Sequence, residues 1–177
     1  MKTIKVKDKE FKLSIGAEEI NVAVEKIASQ LNHDLKGKNP IFLVVLNGAF
    51  IFAADLYRKI EIESEISFVK LASYSGTETT SEVRELIGLN EKIKGRTVVI
   101  LEDIVDTGLT MQYLINKLRY IGVSEVLLVA LFFKPSAFRE DFRIDYIGME
   151  VQNDFIVGYG IDYDGFGRNY ADIYKIL

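Results

Sequence analysis

Three carboxylates, Glu102, Asp103 and Asp106, crowd one short stretch, Val98–Met111, and are followed at once by Thr107-Gly108-Leu109-Thr110. Adjacent acids suit sugar hydroxyls or a hard divalent cation, which takes oxygen ligands. A Thr-Gly-x-Thr run at a helix start offers hydroxyls and unpaired backbone N–H groups, a cradle for phosphate. Gly108 fits that reading because a side chain would obstruct the close approach of the backbone. Together the two halves point to a phosphorylated sugar handled with a divalent cation. Each half also has a plainer reading. Glu102 and Asp103 could be a solvated strand end, and the Thr-Gly-x-Thr run could form an ordinary helix N-cap, which does not conflict with phosphate binding.

The elements that must hold these groups follow from the flanking pattern. Val98-Val99-Ile100-Leu101 is uninterrupted apolar sequence, as expected of a strand buried on both faces of a parallel sheet. Acids at its carboxyl end then lie where open α/β sheets bind ligands. Ile41–Leu46 and Glu125–Phe133 are strands of the same kind, and Ile66–Ala72 is a fourth. Helical spacing is found from Ala17 to Leu31, with Ser14 as the expected cap. It recurs over Ala49–Ile60, with Phe50, Ala53, Ala54 and Tyr57 on one side, and from Thr110 to Ile121, ended by Gly122. Strand–helix alternation predicts an α/β fold with a parallel core sheet flanked by helices. Thr3–Val6 and Phe11–Leu13 flank a charged turn and predict a small hairpin. The polar run Ser73–Glu82 has no helical periodicity and predicts a long loop, a form that is usually functional or disordered. Asn47-Gly48 alone would suit a hairpin turn, but the helical segment after it favours a strand-to-helix turn. Glycines and aromatics crowd the C-terminal part, where short strands and loops should cover one edge of the sheet. The expected organisation is one domain, with a core over about 15–135 and a hood from 1–14 and 136–177.

Bulk properties narrow the function class. The chain has 177 residues, 49% hydrophobic and 27% charged, and a formal net charge of −4. That charge argues against a general nucleic-acid binder. There is no cysteine, so disulfides, thiolate metal sites and a cysteine nucleophile are excluded. The N-terminus lacks the apolar core of a signal peptide. No stretch approaches the roughly 18 apolar residues of a membrane span, so a cytoplasmic protein without membrane partners is expected.

VVILEDIVDTGLTM resembles the signature of the type I phosphoribosyltransferases, enzymes that use 5-phosphoribosyl 1-pyrophosphate (PRPP). Further matches lie outside it. Leu46-Asn47-Gly48 sits where that family places its pyrophosphate loop, and Ser73-Tyr74 begins what would be its mobile loop. Lys134, the run Phe155-Ile156-Val157-Gly158-Tyr159, Asp162 and Arg168 are similar to the hypoxanthine-guanine branch. Two positions depart from the pattern, with Asn47 and Leu109 standing where lysine is frequent.

The resemblance implies a type I phosphoribosyltransferase fold and transfer of the phosphoribosyl group from PRPP to a 6-oxopurine, with Mg2+ as cofactor. It implies that Glu102 and Asp103 hold the ribose hydroxyls and position the metal, with Asp162 near a second metal. Thr107, Gly108, Leu109 and Thr110 would cradle the 5′-phosphate, Leu109 through its backbone. Asn47 and Gly48, across a strained or cis Leu46–Asn47 peptide, would join Arg168 at pyrophosphate. Asp106 would be the general acid/base, the alternative being helix N-terminal charge stabilisation. Lys134 would donate to the purine oxygen, Phe155 would stack on the base, and Ile156 and Asp162 would read its edge. Lys134 could also be a surface lysine, Phe155 core, and Arg168 part of a rim salt bridge. The loop beginning at Ser73 and Tyr74 would close over the reaction and exclude water. A homodimer or homotetramer is implied, without nucleic acid. Two other functions remain open: a phosphoribosyltransferase for xanthine or another base, and a PRPP-sensing regulator without catalysis.

Overall fold

The computed structural model describes residues 2–74, 82–87 and 93–177, with side chains for 2–71 and 93–177. Five parallel strands form the core sheet: β3 (Ile41–Leu46), β4 (Glu65–Tyr74), β6 (Thr97–Val105), β7 (Glu125–Phe133) and β8 (Tyr146–Glu150). An antiparallel strand, β5 (Glu82–Ile87), completes the order β5-β4-β3-β6-β7-β8. The apolar runs of β3, β6 and β7 reflect burial on both faces, and their side chains divide by the two-residue period of a strand. Phe42, Val44, Val99 and Leu101 face helices α1 (Ala17–Asp34) and α2 (Phe50–Tyr57). Leu43, Val45, Val98 and Ile100 face α3 (Leu109–Ile121).

α1 docks through Ile20, Val24, Ile27 and Leu31, all essentially inaccessible. Each such burial contributes about 1.5–3 kcal/mol, so docking rather than helix propensity holds the element. Ser14 is not its cap, because it lies within strand β2 (Lys9–Ile15). Gly16 takes the cap position and donates its N–H to Glu19 Oε1 at 3.1 Å, while the Ala17 N–H donates to Asp172 Oδ1 at 3.0 Å. α2 is shorter than its sequence pattern suggests and buries Phe52, Ala53 and Leu56, leaving Phe50 46% exposed. Its register starts from the wholly buried Ala49, which rotates the inward face by comparison with Phe50, Ala53, Ala54 and Tyr57. Gly122 does cap α3, in the left-handed conformation (φ 88°).

The hood is a second sheet, β1 (Thr3–Val6), β2, β10 (Ile173–Ile176) and β9 (Ile156–Val157), in the order β1-β2-β10-β9. Both ends of the chain contribute to it, around Val6, Phe11, Val157 and Tyr174. Two boundaries differ from the sequence expectation. β8 pairs with β7 in the core sheet, so strand pairing carries the core past residue 135 to Glu150. The polar stretch Ser73–Glu82 is partly strand: Ser73 and Tyr74 end β4 and pair with Val83 and Glu82 of β5, while 75–81 lie outside the described residues. Edge strands have one unpaired side and carry polar residues, which hid β5 in its sequence.

Candidate active site

β6 continues through both acids to Val105, so Glu102 and Asp103 belong to the strand's last residues instead of following it. Alternation turns Asp103 inward, to 7% exposure, and its Oδ1 accepts the Ile104 N–H at 2.9 Å. Glu102 Oε2 is buried without a hydrogen-bond partner. Burial, and then the neighbouring Asp103 charge, push the Glu102 carboxyl well above the usual range. Burial raises Asp103 as well, against lowering by Glu102 and by the backbone N–H of Ile104. A buried pair of this kind is short of positive charge, and an orphaned carboxylate oxygen is a ready ligand for Mg2+. Among the described residues no cluster of three acidic or histidine groups could hold a metal alone. Mg2+ is commonly bound by one or two carboxylates with substrate oxygens completing the shell, and Glu102 with Asp103 fits that pattern.

The backbone turns at Gly108, whose φ of 93° suits glycine, and a Cβ there would come within 2.6 Å of Phe138. The close neighbour of Gly108 is therefore a protein ring. The Gln112 N–H reaches Gly108 O at 2.9 Å to close the first turn of α3. Helix geometry leaves the N–H groups before it without intrahelical partners. A concave pocket opens over them, lined by Glu102, Asp106, Thr107, Gly108 and Thr110 among others. Leu109 is 54% exposed and is not among the lining residues.

Lys134 directly follows β7, the neighbour of β6, and is only 8% exposed. Its Nζ donates to Asp106 Oδ2 at 3.1 Å. Adjacent parallel strands thus bring together a lysine and an aspartate 28 residues apart, and a surface lysine is excluded. The Asp106 side chain is 48% exposed and Lys134 only 10%, so the carboxylate is the accessible end of the pair.

The Leu46–Asn47 peptide is cis. A Cβ on Gly48 would collide with the Asp103 carboxylate, and one on Gly160 (φ 97°) would collide with Gly48 O. Backbone from the hood, the 47–48 loop and the β6 acid are thus in direct contact. Arg168 donates to Gly160 O at 2.6 Å and pairs with Asp162 at 2.7 Å. Its charge also lowers Asp103. Asp162 Oδ2 accepts the Gly165 N–H at 2.6 Å and its Oδ1 pairs with Arg168, so both of its oxygens are engaged within the hood. Phe155 is 45% exposed, whereas the Ile156 side chain is buried in the main core at 6%. Ile156 can therefore offer a ligand only its backbone. The side chains of Ser73 and Tyr74 lie outside the described residues.

The composition of the chain gave no sign of Tyr159 as a bracket between hood and core. It is 8% exposed and donates to Asp55 Oδ2 on α2 at 2.6 Å. The clue available was its place in the run Phe155–Tyr159.

The family model for the phosphoribosyl transferase domain matches residues 15–164. The chain belongs to the phosphoribosyltransferase family. It is 39% identical over 159 residues to the hypoxanthine-guanine phosphoribosyltransferase of Streptococcus thermophilus, spanning 89% of this chain and 88% of that one. The Bacillus subtilis protein of the same name is 36% identical over the same shares. Among solved phosphoribosyltransferases, a hypoxanthine phosphoribosyltransferase from Staphylococcus aureus superposes with a TM-score of 0.89 at 31% identity, covering 94% of this chain and 91% of that one. The parallel sheet with flanking helices is accordingly the type I phosphoribosyltransferase fold.

Proposed function

We propose that this phosphoribosyltransferase transfers the 5-phosphoribosyl group of PRPP to hypoxanthine, and to guanine, in purine salvage. The products are the purine mononucleotide and pyrophosphate. The observation that carries this reading is the Lys134–Asp106 pair beside the helix N-terminal pocket. A buried ammonium and an accessible carboxylate meet where a base would lie over the ribose. The ammonium suits a purine bearing an exocyclic oxygen and disfavours adenine, whose amino group is a donor.

The chemistry breaks the bond from ribose C1 to a pyrophosphate oxygen and forms a bond from C1 to a purine ring nitrogen. Asp106 takes the proton that the purine loses, with Lys134 hydrogen-bonded to its carboxylate and fixing its orientation. Positive charge builds on the ribose, and Glu102 and Asp103 lie below it to oppose that charge and hold its hydroxyls. Thr107, Gly108, Leu109 and Thr110 fix the 5′-phosphate at the start of α3. Asn47, Gly48 and Arg168 meet the pyrophosphate, where a planar guanidinium suits the anion. Phe155 stacks on the base, while Ile156 backbone groups and Asp162 meet its edge. Glu102 and Asp103, together with substrate oxygens, would hold Mg2+, which would supply positive charge against the departing pyrophosphate. Ser73 and Tyr74 begin the segment that closes over the reaction. The core over about 15–135 and the hood from 1–14 and 136–177 act as one domain, extended by β8 as described, and the working unit is a homodimer or homotetramer in the cytoplasm.

Incubation with PRPP–Mg2+ and each of hypoxanthine, guanine, xanthine, adenine and uracil tests the reading. Nucleotide formed from hypoxanthine and guanine supports it. Product mainly from xanthine would reassign the base, and no product from any base would indicate a PRPP-sensing regulator.

A further inference from the structure

Phe155, the proposed stacking ring, has a support that the reaction scheme leaves unused. Phe11, wholly buried, contacts it at 6.2 Å between ring centroids. Tyr163 meets it edge-on, at 5.7 Å and 88°. The Phe11–Tyr163 separation of 6.4 Å closes a triangle of rings. Tyr163 is itself fixed from several directions. Its hydroxyl donates to Asp8 Oδ1 at 2.9 Å, and its backbone exchanges hydrogen bonds with Phe166 at 2.8 and 3.0 Å. The ammonium groups of Lys9 and Lys7 stand 5.5 and 5.9 Å from its ring centroid. Lys7 is anchored in turn by an ion pair with Asp164.

Phe11 is part of the hood core and its loss would disturb the fold. Tyr163 is different, because it is only half-buried at the margin of the hood core, where it also reaches the β1–β2 turn and Phe155. Phe155 is 45% exposed, so an edge partner is needed to hold one orientation against the others that solvent permits. An edge-to-face aromatic pair is strong enough to do this. A base that binds only the held orientation loses apparent affinity in proportion to the population that leaves it.

We infer that Tyr163 is a positioning residue for Phe155. Clamped by Asp8, Lys7 and Lys9 of the N-terminal hairpin, it presents the ring on which the purine stacks, so the β1–β2 turn contributes to base affinity without touching the base. The inference rests on Phe155 being the base platform, and its test separates the two claims.

Steady-state kinetics of the full chain would compare Tyr163→Leu, Tyr163→Phe, Phe155→Leu and the Tyr163→Leu/Phe155→Leu double variant. Tyr163→Leu should raise KM for hypoxanthine about 3- to 10-fold. KM for PRPP and kcat should stay within about twofold, a split that general loosening of the fold would not produce. Tyr163→Phe keeps the ring but loses the hydroxyl that Asp8 holds, so it should raise the hypoxanthine KM by less than Tyr163→Leu and leave the KM for PRPP unchanged. Because Tyr163 acts through Phe155, adding Tyr163→Leu to Phe155→Leu should cause almost no further rise, the signature of coupled residues. Tyr163→Met takes the place of Tyr163→Leu if the latter does not fold. The inference is overturned if Phe155→Leu raises the hypoxanthine KM and Tyr163→Leu does not, if both substrates weaken equally, or if the two losses multiply. A Phe155→Leu variant with an unchanged hypoxanthine KM removes the platform reading itself, and the positioning role with it.

Discussion

At Glu102 a carboxyl oxygen is buried without a partner, and ionising it in the free protein costs stability. Replacing that carboxyl with an amide removes the charge while keeping the shape. Glu102→Gln should therefore raise the melting temperature of the ligand-free protein by a few degrees, which calorimetry would detect. Converting both acids, as Glu102→Gln with Asp103→Asn, should lower turnover on the order of 10²-fold or more while leaving circular dichroism unchanged; undiminished activity would remove both residues from the reaction. At Asp106 the expected loss on Asp106→Asn is about 10²- to 10⁴-fold in kcat, with a flattened pH–rate profile. A near-normal rate and profile would leave Asp106 as a helix N-terminal charge only. The residue types and spacing at and just past the end of β6 singled out these three acids at once. What the spacing could not convey is that Lys134 and Asp106 touch, because their contact depends on the register of two strands.

At the scale of elements, Asp172 shows how a distant segment can finish a helix. Its carboxylate accepts the Ala17 N–H at the start of α1 and pairs with Lys2 at 2.6 Å, tying both chain ends to one helix terminus. Lys2, and then the Ala17 N–H, hold the Asp172 carboxyl below its ordinary value. Asp172→Ala should cost about 1 kcal/mol, as loss of a helix cap does. The sign with pH follows from the depressed value. The contribution is full above the ordinary aspartate pKa of about 3.9 and is lost as pH falls through the lower folded value. Urea titrations of parent and variant should therefore converge in acid; a gap that persists there would point to packing instead. The sequence read α1 well because its apolar positions repeat, but named Ser14 as the cap, since nothing local reveals that Ser14 belongs to a strand or that a residue far along the chain supplies the acceptor. β5 and β8 were hidden for a related reason. Short strands at the margins of a sheet carry no continuous apolar run, and only their partners define them. The long apolar strands β3, β6 and β7 needed no such help.

For the whole molecule, the proposed role of the paired carboxylates would make metal and substrate binding interdependent. Among the described residues the protein alone offers no three-acid metal site, so removing divalent cation with a chelator should abolish turnover without shifting the unfolding midpoint. Calorimetric titration should show weak Mg2+ binding by the free protein and tighter binding once PRPP is present; strong binding without PRPP would indicate a complete protein site. No helix of the described residues is long and apolar enough to cross a membrane. The glycine- and aromatic-rich stretch stood out in the sequence, though the pairing of β2 with the last strand, β10, did not, because such contacts have no local signature. The hood's contact with the core also bears on how this enzyme could be re-engineered. Gly160 rests on the Gly48 carbonyl, and Gly48 rests on Asp103. A hood grafted from a relative to change the preferred base would be seated by these backbone surfaces before any base arrived. Chimeras should consequently exchange 46–49 together with 155–168, since a donor hood set on the resident loop would inherit a mismatched joint.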